Sequence, residues 1–166
     1  MNTVTLFTGA SQVLTCEYSR SESQWQNIRA EVALAIQDAL VIAIGAENEL
    51  RRKYPEASVV DCTGCVITPG LVDSHTHAVF GDWRFAEYEL RSRGTPYMEI
   101  ARQGGGINAS VMDLRERPEE SLVELTRVRL QEMLKLGTTT MEVKSGYGLS
   151  VEDELKMLRV VRTLDD

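Results

Sequence analysis

Residues 66–81 read VITPGLVDSHTHAVFG and contain both histidines of the chain, His75 and His77. Two residues separated by one position point to the same face of a β-strand, whereas on a helix they point in different directions. The Pro-Gly pair at 69–70 predicts a turn before the strand, and Asp73 falls on the same face as the two imidazoles. This pattern is typical of one part of a metal site at a strand end. A pair of polar residues satisfied by hydrogen bonds is the alternative, and the two histidines alone do not decide between them.

The composition is that of an ordinary globular protein. The 166 residues are 43% hydrophobic and 26% charged, and the 25 acidic and 18 basic side chains give a formal charge of −7. This balance does not favour nucleic acid as a partner. The N-terminus has neither the basic nor the apolar segment of a signal peptide, and no apolar run approaches the roughly 20 residues that cross a bilayer. Three cysteines without an export signal indicate a reducing compartment. We therefore expect a cytoplasmic protein that binds neither nucleic acid nor a membrane.

The pattern of predicted elements changes near residue 66. Before it, we predict a strand at 4–7, a polar connection at 9–29, a hairpin at 32–44, a short helix at 47–53 and a strand at 57–61. These elements predict a small, mostly antiparallel sheet. After residue 66, helices at 84–92, around 97–103 and at 118–136, a strand at 138–143 and a helix that begins at Ser150 predict a parallel α/β fold.

The two longest helices carry recognisable signals at their ends. Pro118 predicts the start of the first and Gly137 its end, while Ser150 and Asp153 resemble a capping box at the start of the second. Their predicted apolar faces are Leu122, Leu125, Val128, Met133 and Leu136 on the first helix, and Val151, Leu155, Leu158, Val161 and Leu164 on the second.

Several other residues are candidates for chemistry. Cys62 and Cys65 form a C-x-x-C pattern that could do redox work or supply half of a zinc site, although chance cysteines at a strand end are the more common explanation. The run of three glycines at 104–106 lacks the pattern of a phosphate-binding loop and predicts a flexible loop. Lys144 follows a strand and is either a catalytic lysine or, more commonly, the partner of a carboxylate.

Two further side chains occupy positions typical of substrate contacts. Arg84 and Tyr147 both lie in loops that follow strands, where binding residues of such folds are usually found.

The motifs also carry a family resemblance. VITPGLVDSHTH resembles the metal-binding strand of the amidohydrolase superfamily, in which a Pro-Gly turn precedes Asp-x-His-x-His. HTHAVFGDWRFAEYELRSRG, YMEIARQGGGI, TTTMEVKSGYGL and EDELKMLRVVR resemble the imidazolonepropionase family within it, in the same order. The likeness runs from about Asp61 to the end of the sequence. The earlier residues are similar only in general form, and Asp38 is followed by Ala39 where the family has Asp-Gly.

The resemblance implies an α/β fold, a partial TIM-like (β/α)8 barrel of the metal-dependent hydrolase type that follows strands of a small β-sandwich. Residues 1–65 would be the N-terminal part of a composite β-sandwich domain, and residues 66–166 the first strands and helices of an incomplete amidohydrolase barrel. The family binds one divalent metal, zinc or iron, and its first two ligands map onto His75 and His77. Its substrate contacts map onto Arg84 and Tyr147.

The resemblance also implies a reaction, the hydrolysis of 4-imidazolone-5-propanoate to N-formimidoyl-L-glutamate in histidine degradation. A complete barrel takes about 250 residues, and the family's remaining metal ligands and catalytic residues have no counterpart in this chain. We therefore expect a small-molecule substrate but no activity from this chain alone. Assembly into a homodimer is one of the oligomeric states that the sequence allows. The alternatives are another amidohydrolase, a cyclic amidase or deaminase, or a non-enzymatic Cys2His2 zinc module formed by Cys62, Cys65, His75 and His77.

Overall fold

The structure, a computed structural model, describes residues 3–16 and 28–165. The chain divides into two units, Met1–Pro69 and Gly70–Asp166. Most of the connection that the sequence predicts at 9–29 lies outside the described residues. The elements of the first unit are β1 (Thr5–Thr8), β2 (Gln12–Leu14), β3 (Ile28–Arg29), β4 (Val32–Gln37), β5 (Leu40–Ala46), α1 (Glu47–Lys53), β6 (Ser58–Asp61) and β7 (Val66–Ile67).

The first unit contains two small sheets. Their strand orders are β5-β4-β1-β6 and β3-β2-β7. The four-stranded sheet is mostly antiparallel as predicted, because β4 pairs with both β1 and β5 in antiparallel orientation. Two parallel pairings accompany these, since β6 joins β1 and β7 joins β2 in parallel. The parallel partners arise because the chain passes through α1 before it returns to the sheets. The strands β2 and β3 were not predicted, because two or three residues are too few to show an alternating pattern. The core of this unit is formed by Leu6, Ala33, Ala35 and Leu50.

The predicted hairpin forms, and its turn is tight despite the missing glycine. Gln37 pairs with Leu40, so the loop between β4 and β5 has only two residues. Both of them, Asp38 and Ala39, have positive φ angles of 52° and 61°. This is the backbone of a primed turn, which matches the right-handed twist of the flanking strands.

The second unit alternates strands and helices. Its elements are β8 (Leu71–Thr76), α2 (Phe85–Ser92), α3 (Tyr97–Arg102), α4 (Ile107–Glu116), α5 (Glu119–Lys135), β9 (Thr138–Val143) and α6 (Val151–Thr163). The strands β8 and β9 pair in parallel, as expected when helices connect them. The core between the helices and the strand ends is formed by Val79, Leu114, Leu122, Met157 and Val160.

The helix bounds agree with the prediction within about two residues, and Ser150 caps α6 by accepting a hydrogen bond from the Asp153 N–H at 3.1 Å. The helix α4 was not predicted. The glycine run that precedes it is not a free loop, because the Gly106 N–H donates to Glu87 Oε1 at 2.9 Å and Gly106, with φ of 76°, is the N-cap residue of the helix.

The predicted apolar faces are partly wrong. On α6 the buried residues are Met157 and Val160, whereas Val151 is 80% exposed. On α5 Leu122 is buried as predicted, but the next buried positions are Thr126 and Arg129, and Leu136 is 81% exposed. Both helices have more apolar surface than their neighbours in the described residues cover. Other predicted face residues that are exposed are Val128, Leu155 and Leu158.

Candidate metal and substrate site

The two histidines meet at the carboxyl end of β8. The strand ends at Thr76, so His75 is its last residue but one and His77 follows directly. The ring centroids lie 5.5 Å apart with planes at 62°. Asp73, which the period-two pattern places on the same face, is used locally: its Oδ1 accepts the backbone N–H of His75 at 3.1 Å. The two imidazoles are close enough together for one metal ion to contact both.

The loop that follows β9 packs against His77. The ring of Tyr147 lies 5.3 Å from the ring of His77, centroid to centroid. Gly146, with φ of 141°, lies so close that a Cβ there would be 3.2 Å from His77 Cε1. The backbone reaches this position because the Lys144 N–H donates to the Thr76 carbonyl at 2.8 Å, which joins the ends of the two strands.

One nitrogen of His77 fits a role as a ligand. Its Nδ1 is buried and has no hydrogen-bond partner, which is unusual because buried polar atoms are normally paired. A metal ion would satisfy this lone pair, since neutral imidazole is a common ligand of zinc and iron. Within residues 3–16 and 28–165, however, no group of three or more His, Cys, Asp and Glu side chains is arranged to hold a metal. The histidines therefore provide two donors, one fewer than a catalytic zinc site normally takes from protein.

The two cysteines of the zinc-module alternative lie in the first unit, and the two histidines lie in the second. The two cysteines are instead part of a turn in the first unit: the Cys65 N–H donates to the Cys62 carbonyl at 2.9 Å. The Cys65 carbonyl in turn accepts the hydroxyl of Ser11 at 2.8 Å. Both thiols are free.

Lys144 pairs with a carboxylate, which the sequence favoured over a catalytic lysine. Its Nζ forms an ion pair with Glu142 Oε1. The hydrogen bond from Lys144 lowers the pKa of Glu142, and the charge of Lys144 acts in the same direction.

Arg84 precedes the first residue of α2. Its Nη1 lies 3.2 Å from Glu87 Oε2, and the side chain is 41% exposed. The other oxygen of Glu87 accepts the Gly106 N–H described above, so Glu87 connects Arg84 to the entry of α4. The structure gives Arg84 an anionic neighbour and leaves part of its surface open to solvent.

A buried arginine that the sequence analysis did not single out fixes the segment between the histidines and Arg84. Arg129 on α5 donates to the carbonyls of Ala78, Phe80 and Gly81 at 3.1, 2.6 and 2.5 Å. Its guanidinium also lies 3.6 Å from the centroid of the Phe80 ring. Burial lowers the pKa of Arg129, with the charges of Asp82 and Asp113 opposing that effect. The signal in the sequence was a charged residue on the same helix face as Leu122.

The structural neighbours define the class of fold. The chain is similar to an ochratoxinase from A. niger (TM-score 0.59, 17% identity, 98% of this chain and 29% of the neighbour). It is also similar to a triazine hydrolase from Arthobacter aurescens (TM-score 0.56, 18% identity, 98% and 34%). A protein described as an amidohydrolase matches with a TM-score of 0.52 and 18% identity over 92% of this chain and 29% of that protein. No family model matches the chain. The fold is therefore mixed α/β and is shared with these three proteins.

Curated relatives with higher sequence identity show which named enzymes this chain resembles. The imidazolonepropionase of Aeromonas hydrophila is 47% identical over 134 residues, 81% of this chain and 32% of the relative. The imidazolonepropionase of Paracoccus denitrificans is 46% identical over 141 residues, which are 85% of this chain and 35% of the relative. The imidazolonepropionase of Brucella suis is 42% identical over 165 residues, which are 99% of this chain and 40% of the relative. The resemblance to imidazolonepropionases is therefore confirmed over most of this chain, which spans between 32% and 40% of these relatives.

Proposed function

We propose that this chain supplies two metal ligands and two substrate contacts of an imidazolonepropionase. The observation that carries the proposal is the pair of imidazoles at the end of β8, with one unpartnered nitrogen and Tyr147 packed against it. The names of the relatives support the same activity, because a chain that is 42–47% identical to them over most of its length shares their motifs.

The finer architecture belongs to this proposal. The strands β8 and β9, with the helices that follow each of them, would be the first two repeats of a TIM-like (β/α)8 barrel. The parallel pairing of β8 with β9 supports this assignment, as does the place of the histidines at a carboxyl strand end, where active sites of such barrels are found. Residues 1–65 would contribute to a β-sandwich domain.

In this proposal His75 and His77 hold one divalent metal, zinc or iron, with further ligands from outside the residues described here. A metal of this kind supplies hydrolysis with a water whose pKa is lowered toward neutrality. The buried Nδ1 of His77, which has no hydrogen-bond partner, suits such a bond.

The substrate would be 4-imidazolone-5-propanoate, in the cytoplasmic degradation of histidine. Water adds to the carbonyl carbon of the ring, the carbon–nitrogen bond of the cyclic amide breaks, and the nitrogen takes up a proton to give N-formimidoyl-L-glutamate. Arg84 would bind the propanoate carboxylate by a charge-assisted contact. Tyr147 would orient the ring through its hydroxyl.

The proposal is tested with a hybrid in which this chain replaces the matching region of the Aeromonas hydrophila relative. We expect the folded hybrid to bind metal and to open the ring of imidazolonepropanoate, measured by the loss of its ultraviolet absorbance. The variants His75→Ala and His77→Ala should lose bound metal and turnover together, whereas a Cys62→Ser, Cys65→Ser control should keep both. A folded, metal-loaded hybrid without ring opening would overturn the proposal.

A further inference from the structure

The loop that carries Tyr147 is held by one carboxylate. Glu154, on the first turns of α6, accepts the backbone N–H groups of Gly148 and Leu149 through Oε1, each at 2.8 Å. Leu149 has φ of 55°, a left-handed conformation that costs a non-glycine residue about 1–2 kcal/mol. The strained conformation of Leu149 therefore needs hydrogen bonds from outside the loop to maintain it, and the carboxylate of Glu154 provides them.

The carboxylate of Glu154 is stabilised in its charged form. Burial by itself would raise the pKa of Glu154, but hydrogen bonds from the Ser145 hydroxyl and from the backbone N–H groups of Leu149, Gly148 and Gly146 outweigh it and lower the pKa. The two backbone N–H groups that follow Tyr147 in the chain therefore converge on one oxygen of this side chain. Such bonds to an ionised acceptor are stronger than neutral ones.

The same loop is held from its other side by α4. The Gly148 carbonyl accepts the Nε–H of Arg115 at 2.8 Å, and Arg115 is itself 3.2 Å from Asp153 Oδ2. The peptide unit between Gly148 and Leu149 is thus bound at both its C=O and its N–H group. The side chain of Tyr147 is left to pack against the ring of His77.

We propose that Glu154 is the positioning residue of the candidate site, which fixes the Tyr147 loop over His77 by binding its backbone. Its role in substrate binding rests on the proposed function, because it acts through Tyr147. The role of Glu154 in ordering the loop is independent of the proposed function, since the order of the loop depends only on contacts within this chain. The two roles have separate measurements.

The first measurement is hydrogen–deuterium exchange by mass spectrometry on the 166-residue chain, followed in the peptide that covers residues 144–149. The variant Glu154→Gln keeps the shape of the side chain and removes its charge. We expect exchange in this peptide to become about tenfold faster, with exchange in β4 and β5 unchanged. Glu152→Gln is the matched control, because Glu152 lies in the same helical turn and is exposed. Equal exchange in Glu154→Gln and the unchanged chain would overturn the proposal.

The second measurement is a double-mutant cycle in the hybrid enzyme. Glu154→Gln should raise KM for imidazolonepropanoate about tenfold without a change in metal content, and in a Tyr147→Phe background it should add nothing. Independent, multiplying effects would show that Glu154 does not act through Tyr147. If Tyr147→Phe leaves KM unchanged while exchange of the loop still depends on Glu154, the proposed contact of Tyr147 with substrate fails and the positioning role stands.

Discussion

Ala39 occupies a backbone conformation that glycine adopts more easily. Its φ of 61° costs a residue with a Cβ about 1–2 kcal/mol. Glycine avoids this cost, but it loses more conformational entropy on folding, which offsets part of the gain. We predict that Ala39→Gly stabilises the chain by ~0.5–1 kcal/mol, measured by urea unfolding. The control is Ala43→Gly within β5, which should destabilise by a similar amount. A loss of stability in Ala39→Gly would contradict the primed turn.

Arg84 is a second residue whose role can be measured alone. In the hybrid enzyme we predict that Arg84→Met weakens substrate affinity by roughly 10- to 150-fold, because it removes a charge-assisted contact of about 1.5–3 kcal/mol. Bound metal, measured by elemental analysis, should be unchanged since the ligands are His75 and His77. Unchanged KM and kcat would show that Arg84 does not hold the carboxylate.

At the scale of an element, the segment between β8 and α2 depends on Arg129. This single side chain donates hydrogen bonds to three carbonyl groups, those of Ala78, Phe80 and Gly81. Two of these hydrogen bonds are buried. We predict that Arg129→Met destabilises the chain by about 3 kcal/mol, because it leaves carbonyl groups without a donor.

The control for this prediction lies on the same helix. Arg127 is half-exposed, with Nε 3.7 Å from Glu124 Oε1, and surface pairs of this kind contribute at most about 1 kcal/mol. Arg127→Met should therefore change the free energy of unfolding little. Equal losses in the two variants would contradict a stabilising role for the hydrogen bonds from Arg129 to these carbonyl groups.

The link between α6 and the Tyr147 loop should also depend on pH. The pKa of Glu154 is lowered in the folded chain from its ordinary value of 4.5, so its contribution to stability is complete above that value and is lost as the pH falls through the folded-state pKa. We predict that the difference in unfolding free energy between the unchanged chain and Glu154→Gln shrinks below about pH 4.5. Urea unfolding between pH 7 and pH 3.5 measures it, and a difference that is constant with pH would refute the assignment.

At the scale of the whole molecule, much apolar surface of the second unit is uncovered. Val72 on β8 is 69% exposed, and Leu136 and Val151 are 81% and 80% exposed. The sheet of this unit has two strands in the described residues, and a cleft of about 400 Å³ runs beside β9. None of the helices within residues 3–16 and 28–165 is long and apolar enough to cross a membrane. Exposed strand edges and apolar patches favour association with other chains.

We predict that the isolated chain associates with itself and has no turnover of imidazolonepropanoate with added zinc or iron. Sedimentation over a range of concentrations, beside the ring-opening assay, tests both parts. The double variant Leu136→Lys, Val151→Lys should reduce association if the uncovered helix faces cause it. A monomeric chain with metal-dependent turnover would contradict the argument that two histidines are too few.

The sequence by itself determined the elements that follow from local periodicity and local signals. The His-x-His pattern after Pro69 placed both imidazoles together, Ser150 marked the start of α6, and the alternation of strands and helices indicated the α/β class. These features depend on the direction of side chains along one element, which the backbone geometry sets within a few residues. The hairpin was also predicted, although the conformation of Ala39 was not.

Only the tertiary structure decided which face of each helix is buried and which polar residues hold the site. Apolar residues on α6 outnumber those that its neighbours cover, so periodicity alone did not separate buried Met157 from exposed Val151. Arg129 and Glu154 resemble ordinary helix residues in the sequence, because their partners are backbone groups of other segments. A carbonyl or an N–H group is present at nearly every residue, and only the folded chain determines which ones a distant side chain will meet.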